Sequence, residues 1–290
     1  MPASRSRTER WRECLEQIHE RSGGVEFAID HGSHTPSYPG EAPPPDVMWR
    51  VRVFALGERE LLVERPSAMT QALDLAPGVS VVVVMSIGQN RWMFRSRILG
   101  TPADGPTPFT TKLGGVRLLL PDTVERCSRR EFMRTSVASL TLPRVEGFPI
   151  LDPTSVPDAD AANERIFNSH MDGGTAWQEG THLPMPVVGP GFGARLMNVG
   201  GGGIGLLIER GETGAVDRAR YLWLRLHLPP HLPSPLCVVG KAVHTHLDSG
   251  QNVYAGVAFD FALNPSHQAF VVAQLSRYAS LAQGVRAKAA

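Results

Sequence analysis

From residue 49 the chain alternates. In Trp49-Arg50-Val51-Arg52-Val53 apolar side chains take every second place and arginines fill the gaps, the period of a half-buried strand. Leu61 to Val63, Arg91 to Leu99 and Val116 to Leu120 are further short strand candidates. Val79 to Met85 is a β-branched run after the turn Pro77-Gly78 and predicts a buried strand. Short strands at this spacing, with little helix between them, predict a small antiparallel barrel. A second series begins at Ala194 to Val199 and continues with Ile204 to Ile208. Tyr221 to Leu228 follows, with Leu222, Leu224, Leu226 and Leu228 on one face, then Leu236 to Leu247. Val253 to Phe261 closes the series and puts Val253, Ala255, Val257, Phe259 and Phe261 together. Ser136 to Leu142 is a further strand candidate.

Helical periodicity is confined to the two ends. Trp11, Leu15 and Ile18 form a narrow apolar stripe within residues 4–22, a short amphipathic helix. Asn264-Pro265 reads as an N-cap followed by proline at the first helical position. The helix from Ser266 to Ala282 then aligns Val271, Leu275, Tyr278 and Ala282. The fold class is mainly β: two small β-barrels in tandem, a C-terminal helix on the second and a short N-terminal helix. Residues 35–47, rich in Pro, Gly and Ser, read as a linker. Residues 143–193 carry little apolar periodicity and are expected to be a mobile insertion without regular structure. No repeat of fixed period is present.

Composition narrows the function classes. The 290 residues hold 29 Lys+Arg and 28 Asp+Glu, a formal net charge of +1, which argues against nucleic-acid binding through bulk charge. Hydrophobic residues make up 42%, enough for a core. The 29 glycines and 24 prolines fit many turns. The three cysteines, Cys14, Cys127 and Cys237, lie far apart without a CxxC, so neither a disulfide framework nor a zinc knuckle is implied. The N-terminus lacks an apolar signal core. The longest apolar stretch, Val79 to Ile87, is far short of the ~18 residues of a membrane span. A soluble cytoplasmic protein is expected.

Chemistry concentrates in two places. Pro121 to Thr135 holds Arg126, Arg129, Arg130 and Arg134, with only Glu125 and Glu131 to oppose them from residue 125 onward. A guanidinium offers a planar fork of donors that matches phosphate and can stack on a base. Taken alone, this cluster is also consistent with a solvated face or local ion pairs. The second place is Asn198 followed by Gly200 to Gly203, where backbone can approach a ligand closely or simply turn between strands. It is neither a Walker loop nor a dinucleotide fingerprint, because no GK[ST] follows and strand-like residues come next. His244 and His246 share a strand face but lack a third metal ligand at useful spacing, and read as surface or core histidines, as do His31 and His34. Cys127, beside arginines, is expected to be a small buried side chain. No nucleophile signature such as GxSxG is present, and a non-enzyme is expected.

In combination the two features resemble the PilZ domain, and the chain from about residue 45 to 282 resembles the flagellar brake (YcgR-like) family. Arg129-Arg130-Glu131-Phe132-Met133-Arg134 matches that family's RRxxxR. Asn198-Val199-Gly200-Gly201-Gly202-Gly203 matches [D/N]xSxxG, with Ile204-Gly205-Leu206 behind it, and Tyr254 to Phe259 looks like the late GVxF strand. The resemblance implies a helix over 1–24, a split-barrel domain over 45–122 and an arginine-rich switch segment over 123–135. A six-stranded PilZ barrel with an insertion at about 143–193 then spans 136–285. It also implies a receptor for cyclic di-GMP with no other cofactor and no metal. Arg130 and Arg134 would hold phosphate and guanine with Arg129 beside them, Asn198 would bond a guanine edge, and Gly203, after Gly200, would permit close backbone approach. A protein partner, such as the flagellar motor, and control of motility or surface behaviour follow from the same likeness. Gly200 departs from the family's Ser and forfeits a hydroxyl bond, roughly 0.5–1.5 kcal/mol. That departure leaves open a degenerate scaffold without nucleotide binding. Split barrels also occur in flavin-binding oxidoreductases, a further alternative for residues 45–120.

Overall fold

The computed structural model describes residues 10–30, 47–68, 71–87, 90–102, 114–127, 142–171, 182–200, 202–208, 216, 219–247 and 252–284. The chain divides into two compact units, Met1–Thr141 with Ala282–Ala290 and Leu142–Leu281. Among the described residues no helix is long and apolar enough to cross a membrane.

The first unit opens with α1 (Trp11–Glu20), whose buried side chains are Trp11, Cys14, Leu15 and Ile18. Its strands are β1 (Gly24–Ile29), β2 (Trp49–Leu56), β3 (Glu60–Glu64), β6 (Ser80–Ile87), β7 (Asn90–Gly100) and β8 (Gly115–Leu119). The short β4 (Ser67–Ala68) and β5 (Gln71–Ala72) pair with each other. Antiparallel pairing runs from β1 to β6, β7, β8, β3 and β2, and from β2 back to β1, so six strands close into a barrel. The tight turn before β6 is made by Gly78, with φ of 88°. Val81 to Val84 are all buried: one face of β6 points into the barrel while α1 packs on β2 and β6 from outside. Trp11 meets Phe94 at a ring separation of 6.3 Å. β9 (Glu125–Cys127) pairs with β7. Strand β1 escaped the sequence reading because Val25 to Ile29 has no strict alternation.

The second unit is another closed ring of six strands. Its members are β10 (Arg144–Asp152), β12 (Phe192–Gly200), β13 (Gly203–Ile208), β14 (Leu222–Leu226), β15 (Leu236–Leu247) and β16 (Val253–Phe259). Pairing runs β10–β12–β13–β16–β15–β14 and back to β10. The fold is therefore mainly β, with two six-stranded barrels in one chain. The four leucines at 222, 224, 226 and 228 are all buried, as their alternation predicts.

Residues 143–193 correct the expectation of a structureless insertion. They supply β10, a barrel strand, then a short 3-10 turn (Pro153–Ser155), α2 (Val156–Met171) and β11 (Val187–Val188), which pairs with β10. Helix α2 covers the outer face of β14 and β15, where Val156 and Ala159 join Tyr221, Trp223, Cys237 and Val239 in a second apolar cluster. Its buried stripe also includes Asp160 and Asn163. These polar members hid the helix from a hydrophobicity reading, and they are paired. Asn264 Nδ2 donates to Asp160 Oδ2 at 3.0 Å, and Asn163 Nδ2 donates to Pro184 O at 2.7 Å. Helix α3 (His267–Gly284) ends the described chain. Its Phe270 meets Phe167 of α2 edge to face at 5.3 Å. The strand candidate at 136–142 and the linker at 35–47 fall almost wholly outside the described residues; Leu142 is buried but not in a strand.

Candidate functional site

Of the arginine cluster, Arg126 is described: it lies exposed on β9 opposite Trp92. Arg129, Arg130 and Arg134 lie outside the described residues, as does the side chain of Cys127. The other half of the motif is visible. Gly200 and Gly203 are register partners and close the hairpin between β12 and β13.

The outer face of this hairpin is set by two β-bulges. In β12 the inward positions Phe192, Ala194 and Leu196 fix a parity that would carry Asn198 into the barrel. The register slips between Leu196 and Asn198, so Met197 is the extra residue and Asn198 turns outward while Val199 points in. In β15 the inward series Leu236, Val238, Gly240 and Ala242 would likewise carry His244 inside. A second slip between Ala242 and His244 leaves Val243 over, and His244 and His246 face out. Strands β13 and β16 keep their alternation, which puts Gly203, Gly205, Tyr254 and Gly256 on the same outer face. Asn198, Gly205, Gly256 and His244 are thus consecutive register partners across four strands.

Gly205 and Gly256 form the floor of that row. A Cβ on Gly205 would collide with Tyr254 Oη and stand 2.9 Å from Asn198 Oδ1 and 3.0 Å from its Nδ2. One on Gly256 would run into His244 Cε1, 2.6 Å from both Nδ1 and Nε2, so the imidazole lies with its face toward the glycine. Asn198, only 4% exposed, donates from Nδ2 to Tyr254 Oη at 3.1 Å. The rings of His244 and His246 are nearly parallel, 7° apart in plane and 6.4 Å between centroids. Tyr254 stands 4.8 Å from His246 and 6.2 Å from His244. Cations stand in the adjacent rows. Arg195 is exposed opposite Leu207, while Lys241, opposite Ala258, is ion-paired with Asp260 at 2.5 Å. Gly203 has a packing reason of its own, because any Cβ there would strike Val257 O of β16.

Sequence periodicity placed His244 and His246 on a common face but did not reveal that this is the face of Asn198. The signal that could have done so is the misfit of polar residues in an otherwise inward parity.

A second polar group sits beneath α2. Asp160 and His267 are both buried, with Oδ1 and Nε2 3.5 Å apart, and His267 Nε2 lies 3.1 Å from Cys237 O. Burial pushes the Asp160 carboxyl above its ordinary range, against the pull of His267. Burial also drives the Cys237 thiol up to about 12, which rules it out as a nucleophile near neutral pH. These contacts bind α2 and α3 to the barrel. Among the described residues no group of three or more His, Cys, Asp or Glu could hold a metal ion.

No family model matches this chain, and no curated protein matches it. Among solved structures it is similar to the Bacillus subtilis inhibitor of motility (MotI/DgrA), at 15% identity and a TM-score of 0.29, covering 88% of this chain and 96% of the other. It is similar to Escherichia coli YcgR in complex with c-di-GMP, at 11% identity and a TM-score of 0.29, covering 96% and 91%. Apo MrkH from Klebsiella pneumoniae aligns at 9% identity and a TM-score of 0.30, over 99% of both chains. Superpositions this loose fix no residue correspondence.

Proposed function

We propose that this chain is a cyclic di-GMP effector, a non-catalytic receptor. Arg129, Arg130 and Arg134 hold phosphate and stack on guanine, and Asn198 reads a guanine edge. The observation that supports this reading is that Asn198, Gly200 and Gly203, the three defined positions of the second motif, share one outer face of the second barrel. The Met197 bulge creates that arrangement. Charge-assisted bonds from each guanidinium contribute about 1.5–3 kcal/mol, and a guanidinium over a base adds about 0.5–2 kcal/mol. Because the arginines precede the second unit in sequence, a bound ligand would tie that segment to the barrel. It would shift the protein between arrangements only by its differential affinity for them. Control of motility or surface behaviour is the process this reading suggests.

Calorimetric titration of the full chain with cyclic di-GMP tests the reading. Saturable binding is expected, weakened more than tenfold by Arg134→Ala. A folded wild-type protein that gives no heat at high micromolar ligand would overturn it.

A second reading has its own support. Asn198 is already bonded to Tyr254 and almost fully covered, and Gly200 stands where the motif has Ser. A scaffold that meets a protein partner without nucleotide would retain this geometry, and the same titration decides between the two.

A further inference from the structure

The rings beside Asn198 are not needed to close the barrel. His244 and His246 are exposed on the outer face, and Tyr254 is half-buried beside them. Cross-strand ring pairs contribute only ~0.2–1 kcal/mol to a sheet. Two parallel imidazoles with a tyrosine ring 25° from the first present nearly aligned faces, the surface on which a planar heterocycle stacks.

Position adds the second element. The amide of Asn198 and the hydroxyl of Tyr254 lie over Gly205, while the imidazole of His244 lies face-down over Gly256. Gly205 and Gly256 are register partners on neighbouring strands, so their Cα atoms are about 4.5–5.5 Å apart. A purine resting on the His244 ring would therefore bring its hydrogen-bonding edge to the amide and the hydroxyl. A side chain at either glycine would displace the amide, the hydroxyl or the imidazole that lies over it.

We infer that His244, His246 and Tyr254 form a stacking ledge for a guanine base, with Asn198 and the Tyr254 hydroxyl meeting the edge of the same base. The inference rests on the cyclic di-GMP reading and adds to it three residues that the two motifs do not contain. Removing a stacking ring from a base-binding site typically weakens binding by about fivefold or more.

The test is calorimetry with cyclic di-GMP on wild type, His246→Ala, His246→Phe and Arg134→Ala, each checked for native far-ultraviolet dichroism. His246 is exposed, so neither of its substitutions threatens the core. The expected result is at least fivefold weaker binding for His246→Ala, affinity within about threefold of wild type for His246→Phe, and more than tenfold weaker binding for Arg134→Ala. If wild type binds, Arg134→Ala binds more than tenfold weaker, and His246→Ala binds as tightly as wild type, the ledge is overturned while the receptor reading stands. If wild type binds and both His246 substitutions weaken binding alike, stacking is also overturned. A folded wild type that does not bind overturns the receptor reading and the ledge together.

Discussion

Asn198 and Tyr254, 56 residues apart in sequence, share a hydrogen bond of 3.1 Å directly above Gly205. The bond exists because Gly205 has no side chain and because the Met197 bulge turns Asn198 outward. Gly205→Ala would drive a methyl group into both partners. A loss of about 1–3 kcal/mol in stability is expected, read as a lower midpoint in thermal unfolding. Tyr254→Phe removes the bond and keeps the ring, so its cost should stay near 1 kcal/mol.

Gly200 offers the opposite case. Among the described residues a Cβ there meets only Gly203 O, at 3.9 Å, and its φ is not in the left-handed region. Gly200→Ser should therefore fold as wild type. If the receptor reading holds, the restored hydroxyl should tighten cyclic di-GMP binding by up to about tenfold, measurable in the same calorimeter.

Trp223 is fully buried under α2, and its Nε1 has no hydrogen-bond partner among the described residues. An unpaired buried donor costs about 1–3 kcal/mol, which offsets part of what the ring contributes. Trp223→Phe should leave stability within about 1 kcal/mol of wild type, whereas Trp223→Ala should cost about 3–5 kcal/mol. Urea denaturation monitored by dichroism separates the two.

Acid should weaken the second unit early. Burial holds the imidazole of His231, edge-on to Tyr278 at 5.4 Å, below its ordinary pKa of 6.5. Burial does the same to His227, against the nearby Glu146. A base whose folded pKa is depressed refuses a proton that the unfolded chain accepts. Stability is therefore complete above pH 6.5 and falls as the pH drops toward the folded values. Urea midpoints at pH 7, 6 and 5 should decline, and His231→Phe should flatten the decline.

Asp160 runs the other way. Its folded pKa is raised by burial, so its contribution is present in acid and is lost as the pH rises from the ordinary value of 3.8 through the folded one. Asp160→Asn should lose less stability than wild type over that rise, seen as converging urea midpoints between pH 4 and 7.

Much of this architecture was legible in the residues. The leucines of Tyr221 to Leu228, the valine run of β6 and the stripe Trp11, Leu15, Ile18 each announced their element, because in each the buried face is apolar throughout. Helix α2 was not legible, because Asp160 and Asn163 occupy its buried stripe and bond to partners far away in sequence. The candidate site was half legible. Asn198, Gly200 and Gly203 stood out as a motif, but the outer row they share with His244 depends on two register slips that strict alternation conceals.

Those slips bear on how distant relatives should be compared. The pairs Ala242–Val257 and His244–Gly256 flank Val243 without using it, and Val243 is 67% exposed. A homologue one codon shorter at that point would keep every neighbouring partnership and still display its histidine to solvent. An alignment that penalises the gap, sliding the strand by one place instead, would pair His244 with a core position and erase the correspondence.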